Sequence, residues 1–264
     1  MFLFRFTQNV AGVARPFIRS RPHFRRPILW GVACTTLAAT WALTRPTVIY
    51  LDASPQADAD VVLDPQTSIA FPKTITIPSK IKIPTAELVG LGVRTVSFLG
   101  IKVYSVALYA DLSNPNLKVS LNLAPEEKVS HVVHNTTCVI RIVPTRSTSY
   151  THLRDAFMRA LNARLAQDVQ SKTITEDEAL TAASPLRKLK TLFPNTPLKK
   201  HEPLDVLLTA PTPGKPRALI FRDLGSVEND WVATEFVLHY FQENAPSPAF
   251  KRSVLEKLTP FEKQ

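Results

Sequence analysis

From Leu88 to Asp111 the sequence LVGLGVRTVSFLGIKVYSVALYAD alternates with the two-residue period of a strand. Val93, Thr95 and Ser97 fall on one side and Arg94, Val96 and Phe98 on the other; the chain then turns at Leu99-Gly100 and alternates again. The pattern predicts a β-hairpin and sets Arg94 on the face of Val96 and Phe98, which are expected to point inward. A guanidinium taken out of water without an anionic or carbonyl partner costs on the order of several kcal/mol, so Arg94 should meet a ligand or a structural partner there.

The same reading extends along the chain. In FPKTITIPSKIKIP, residues 71 to 84, Ile75 and Ile77 and then Ile81 and Ile83 are in phase, but the prolines restrict this stretch to an edge. PEEKVSHVVHN forms a short element, and TTCVIRIVP is rich in β-branched residues and predicts a strand. From Ser149 to Val169 the period changes: Leu153, Phe157, Ala160, Leu161 and Leu165 recur at three and four, which predicts a long amphipathic helix. A second helix opens at Thr175 with a capping-box spacing, is interrupted at Pro185 and ends at LFPN. LDVLLTAP and PRALIFRDL read as a strand pair around Pro213-Gly214. Two helices close the chain, the last with Ser247 as N-cap and Pro248 at its first position. Strands before and after a helical pair, with further helices at the end, indicate an α+β domain whose sheet is covered by helices on one face.

Charge changes the picture only at the N-terminus. The chain has 32 basic and 22 acidic side chains, and residues 1 to 50 hold seven arginines and no acid. The rest is close to neutral and lacks the basic footprint of a nucleic-acid binder. Residues 1 to 27, arginine-rich and free of acids, have the composition of a mitochondrial presequence. Residues 28 to 44 are uncharged, with Trp30 and Trp41 near the ends; as a helix they span about 26 Å, which predicts a single crossing of the inner membrane. The alternative is a sorting signal removed after import. Residues 45 to 68 read as an exposed linker and residues 69 to 264 as the globular domain. Arg25 and Arg26 before the apolar segment favour an N-terminus in the matrix, while Arg45 beyond it blunts that bias. Cys34 and Cys138 offer neither a plausible disulfide nor a zinc set.

Gly90, Gly92 and Arg94 in G-x-G-x-R, the strand GIKVYSVALY, the helix end LFPN and the closing DLGSVENDWVATEFVLHYFQENAPSPAFKRSVLEKL occur in an order that resembles the chalcone isomerase-like fold family. The form VGLGVRTVSFLGIKVY, preceded by FPKTITIP and an N-terminal apolar segment, is similar to its fungal mitochondrial branch, the altered-inheritance-of-mitochondria proteins with a chalcone isomerase domain. The resemblance implies an open-faced sandwich, an antiparallel sheet covered on one face by helices.

It also implies a site. In chalcone isomerases an arginine holds the substrate's phenolate, while a threonine, a tyrosine and an asparagine organise a water around the ketone. Here Arg94 matches the arginine and Tyr150 the tyrosine, but Tyr104 stands in place of the threonine and Phe157 in place of the asparagine. Loss of such a donor removes about 2 to 4 kcal/mol of transition-state stabilisation, by analogy with an oxyanion hole. The expectation is therefore a membrane-tethered, non-catalytic binder of an apolar carboxylate-bearing ligand at Arg94, Tyr104, Tyr150 and Phe157. Haem comes first and fatty acid second; the alternatives are an isomerase or lyase acting on a chalcone-like metabolite and a structural protein without ligand. For haem, His152 at the start of the long helix is the candidate axial ligand. His239, which shares its turn with Glu235, Gln242 and Glu243, reads as exposed, His201 as a loop residue, and His131 with His134 as a pair lacking a third ligand.

Overall fold

The computed structural model describes residues 60–77, 83–96 and 99–264. The presequence, the apolar segment and Cys34 lie outside the described residues, as do Ile81, Ser97 and Phe98. Among the described residues no helix is long and apolar enough to cross a membrane.

Among the described residues eleven strands and five helices follow in the order β1 (Val61–Leu63), β2 (Ala70–Pro72), β3 (Thr74–Ile75), β4 (Ala86–Val96), β5 (Ile101–Ala110), α1 (Pro125–Asn135), β6 (Cys138–Pro144), β7 (Thr148–Ser149), α2 (Tyr150–Gln170), α3 (Glu176–Leu192), β8 (Pro197–Leu198), β9 (Leu204–Leu208), β10 (Ala218–Phe221), β11 (Gly225–Glu228), α4 (Asp230–Leu238) and α5 (Pro248–Leu258). Seven of the strands form an antiparallel sheet in the order β11-β10-β9-β6-β5-β4-β3. The helices pack on one face over a core that includes Tyr104, Val106, Leu108, Ile140, Phe157, Phe221, Phe236 and Phe250. This is the expected α+β open-faced sandwich.

The sheet's second face is not bare. The β1–β2 hairpin brings Phe71 onto Leu91, Ala107, Tyr109, Val139 and Leu207. Strand β1 lies inside the stretch expected as a linker: the alternation of acids in that stretch hides Val61-Val62-Leu63, which pair with Ala70–Pro72. On this face Arg141 donates to both carboxylate oxygens of Asp205 at 2.7 and 2.9 Å, and Arg222 adds a third contact at 3.1 Å, so the buried carboxylate is paired.

Helix boundaries follow local chemistry. Thr175 and Glu178 form the reciprocal cap of α3. Ser147 to Ser149 lead into α2, whose first turn is capped by the Ser149 hydroxyl accepting from the Thr151 N–H. The expected break at Pro185 does not occur; α3 runs through it because Ala182, Leu186 and Leu189 anchor both sides of the proline in the core. Buried Lys128 of α1 donates to the carbonyls of Thr259 and Phe261 at 2.6 and 3.0 Å, tying down the chain beyond α5.

Candidate functional site

The register of β4 on β5 explains the G-x-G-x-R run. Gly90 lies opposite Leu108, Gly92 opposite Val106 and Arg94 opposite Tyr104, all on the helix-bearing face. A Cβ on Gly90 would sit 2.7 Å from the backbone nitrogen of Val254, and one on Gly92 would sit 2.4 Å from that of Phe250. Both glycines therefore let α5 lie directly on the strand, and Arg94 is the first position along that row where a side chain fits. Ser247 secures the helix there: its hydroxyl donates to the Val93 carbonyl at 2.6 Å and accepts the Phe250 N–H at 3.2 Å.

Beside this contact, between α2 and the loop joining α4 to α5, is a cleft of about 260 Å³. Arg94 enters it together with Ala156, Phe157 and Ala160 of α2 and with His239. Arg164, Gln167, Gln242 and Asn244 complete a polar rim. Arg94 is half-buried and donates to the Tyr104 hydroxyl at 3.1 Å, with its guanidinium carbon 5.6 Å from the centre of the Tyr104 ring. Among the described residues no carboxylate lies within ion-pair distance of it. Arg164 differs: its Nε lies 3.1 Å from carboxylate oxygens of both Asp168 and Glu235. Burial pushes the Glu235 carboxyl upward while Arg164 draws it back.

Below the guanidinium are two buried phenols. Among the described residues the Tyr240 hydroxyl meets no partner in hydrogen-bonding geometry; burial first, and then the neighbouring Tyr104, hold its proton on far above the ordinary tyrosine range. His239 is 7% exposed, contrary to the expectation from its polar neighbours. Its Nδ1–H donates to the Phe236 carbonyl at 2.6 Å, and its ring sits against Tyr240, Phe236 and Phe157 at centroid distances of 4.0, 5.6 and 6.3 Å. Burial, reinforced by the charge of Arg94, lowers its pKa to about 4. The assignment of the proton to Nδ1 follows from that carbonyl contact.

The floor of the cleft is aromatic. Phe157 packs edge-on against Phe236 at 4.9 Å, and Phe193 and Phe221 continue the cluster. Of the residues singled out from the sequence, the cleft gathers Arg94 and Phe157, with Tyr104 bound to the arginine. Tyr150 and His152 do not line it: Tyr150 is half-buried at the start of α2, where burial and then Glu202 push its phenol upward, and His152 is exposed. His131, His134 and His201 are exposed too, and among the described residues no group of three or more metal-ligating side chains is assembled. Val96, expected to point inward, is 38% exposed; it lies past a register shift between Arg94 and Thr95, where the alternation of the pairing is broken. His239 and Tyr240 were hidden from periodicity, since Glu235 and Gln242 beside them are polar without facing open solvent.

A family model described as chalcone isomerase like matches residues 84–131 and 116–255. An uncharacterized protein of Schizosaccharomyces pombe is 34% identical over 99 residues, covering 31% of this chain and 38% of that protein, so the match spans well under half of the relative. Among solved structures, an Arabidopsis thaliana fatty-acid binding protein superposes with a TM-score of 0.55 at 18% identity, over 76% of this chain and all of that one.

Proposed function

Because the chain belongs to the chalcone isomerase-like family, we propose that it is a non-catalytic binder of a small apolar ligand bearing a carboxylate, and that the ligand is a fatty acid. The observation that carries this reading is Arg94, a guanidinium facing an apolar and aromatic cleft with a phenol, not a carboxylate, as its partner among the described residues. A carboxylate can take both arms of the fork, a charge-assisted contact that lysine does not reproduce. The ligand named for the Arabidopsis protein of the same fold supports the choice of fatty acid.

Haem fits the residues less well. The cleft lies just below the range of about 300 to 1,000 Å³ typical of sites for drug-sized ligands, and a porphyrin needs a wide flat slot where Phe157 and Phe236 now pack. His239, the histidine at the cleft, is wedged among three aromatic rings. Residues 1 to 44 add the location to the proposal: a presequence and a single apolar segment tether the domain to the mitochondrial inner membrane.

The test is titration of the purified full-length protein with decanoic acid, alongside thermal melts without ligand. Arg94→Lys should weaken binding at least tenfold and leave the melt near wild type. Lost melting temperature with unchanged affinity would show that Arg94 braces the fold and would overturn the proposal. An absorption spectrum of the protein with added haemin checks the other ligand; a saturable Soret shift abolished by Arg94→Lys would favour haem.

A further inference from the structure

Ring nitrogens of a buried histidine need partners as much as any other buried polar group. The Nδ1–H of His239 is committed to the carbonyl of Phe236, one turn back on its own helix, and the surrounding rings of Phe157, Phe236 and Tyr240 fix the plane of the imidazole. Nε2 remains as an acceptor, and it is not one of the side-chain atoms buried without a partner, so it is open to the cleft. Among the described residues no side chain or backbone donor reaches it, yet His239 lines the same cleft as Arg94. The apolar part of the wall, Ala156, Phe157 and Ala160, offers no hydrogen, and the rim donors Arg164, Gln167, Gln242 and Asn244 make no hydrogen bond to the imidazole.

We infer that His239 is a specificity-determining acceptor for a ligand hydroxyl, so that the preferred ligand is a hydroxy fatty acid with its carboxylate on Arg94 and its hydroxyl, within a few carbons of the carboxylate, donating to Nε2. This rests on the binding role of Arg94 proposed above and names the class of acid. A neutral imidazole discriminates in one direction: it accepts from a hydroxyl and offers nothing to a keto oxygen or a bare methylene. The histidine stays in that state because burial and the nearby Arg94 charge both oppose protonation. A site built around an acceptor rejects the analogue that lacks the donor, since the acceptor is then left unpaired.

Titration of the full-length protein with decanoic, 2-hydroxydecanoic, 3-hydroxydecanoic and 3-oxodecanoic acids tests this. One of the two hydroxy acids should bind at least tenfold more tightly than decanoic acid, with the oxo acid no better than decanoic. His239→Leu should remove that preference while decanoic acid still binds, and His239→Gln, which keeps an acceptor, should retain part of it. Equal affinities for all four acids in the wild-type protein would mean that water satisfies Nε2, overturning this inference but not the role of Arg94. A hydroxy-acid preference that survives in His239→Leu would also overturn it. Binding of none of the four would remove the fatty-acid reading and this one with it.

Discussion

A Cβ at Gly92 would meet three backbone atoms, the nearest at 2.4 Å, whereas one at Gly90 would meet the Val254 methyl and backbone at 2.7 Å. The Val254 methyl can swing aside, but backbone atoms of α5 crowd both positions, more closely at Gly92, and they cannot move without the rest of the helix. Gly92→Ala should therefore destabilise by about 1–3 kcal/mol or somewhat more, and by more than Gly90→Ala, as overpacking does. Urea denaturation of both variants reads the order, and equal, negligible losses would contradict the direct seating of α5 on β4. The glycines were visible in the sequence as a motif, but their reason was not, because it lies in a helix some 150 residues downstream. His239 makes the complementary point. Its neighbour Glu235 suggested a solvated face, but Glu235 is itself buried and paired with Arg164. Polarity along a helix marks exposure only where no partner is waiting on another helix. With a folded pKa of about 4 against an ordinary 6.5, His239 is neutral in the native state. As pH falls from 6.5 toward 4 the unfolded chain takes up a proton that the native state refuses, so stability should fall with it, by on the order of 3 kcal/mol over that interval. Stability measured by urea at pH 7 and pH 5 should show a smaller loss in His239→Gln than in wild type; identical losses would place the imidazole in contact with water.

The elements themselves were largely legible. The two-residue period located β4, β5 and β6, the periodicity of three and four located α2, and the cap residues Thr175 and Ser247 stand where the sequence set them. The misses have local causes. A proline inside α3 removes one backbone donor, but core contacts on both sides outweigh that loss. The register shift at the end of β4 is an irregularity that alternation cannot announce. Ser247 shows how much one terminal residue can carry, since its hydroxyl both caps α5 and satisfies the Val93 carbonyl on β4. Strand β4 extends well beyond its short partner β3, and the Ser253 hydroxyl accepts the Leu91 N–H at 3.2 Å, so α5 shields the strand's outer side with two serines. Ser247→Ala removes both bonds and should cost about 2 kcal/mol or more, above the typical cost of a lost N-cap alone. Ser253→Ala, which leaves the helix cap intact, should cost less; the opposite ranking in thermal melts would show that the cap, and not the strand contact, is dispensable.

At the scale of the whole molecule, the family could be recognised from ordered motifs, but the extent of the ligand space could not, because it depends on how four aromatic rings from α2, the end of α3, β10 and α4 come together. Phe157, Phe193, Phe221 and Phe236 fill the interior that a deeper pocket would need, and they leave the 260 Å³ cleft with Phe157 as its floor. In the correspondence that the sequence resemblance implies, Phe157 also takes the place of the chalcone isomerase asparagine, which would make one position both remove a hydrogen-bond donor and shorten the site. Two consequences are measurable. Hydroxychalcone cyclisation by the protein should be indistinguishable from the buffer rate. Chain length should be read out by the floor: the wild-type protein should favour short and medium acyl chains, and Phe157→Ala should shift the optimum toward longer ones. Removing a buried phenylalanine costs about 3–5 kcal/mol, so the milder Phe157→Leu provides the control if the alanine variant does not fold. It should shift the optimum in the same direction by fewer carbons. An unchanged chain-length profile in a folded Phe157 variant would mean that the acyl chain leaves Arg94 along the polar rim and not toward the aromatic floor.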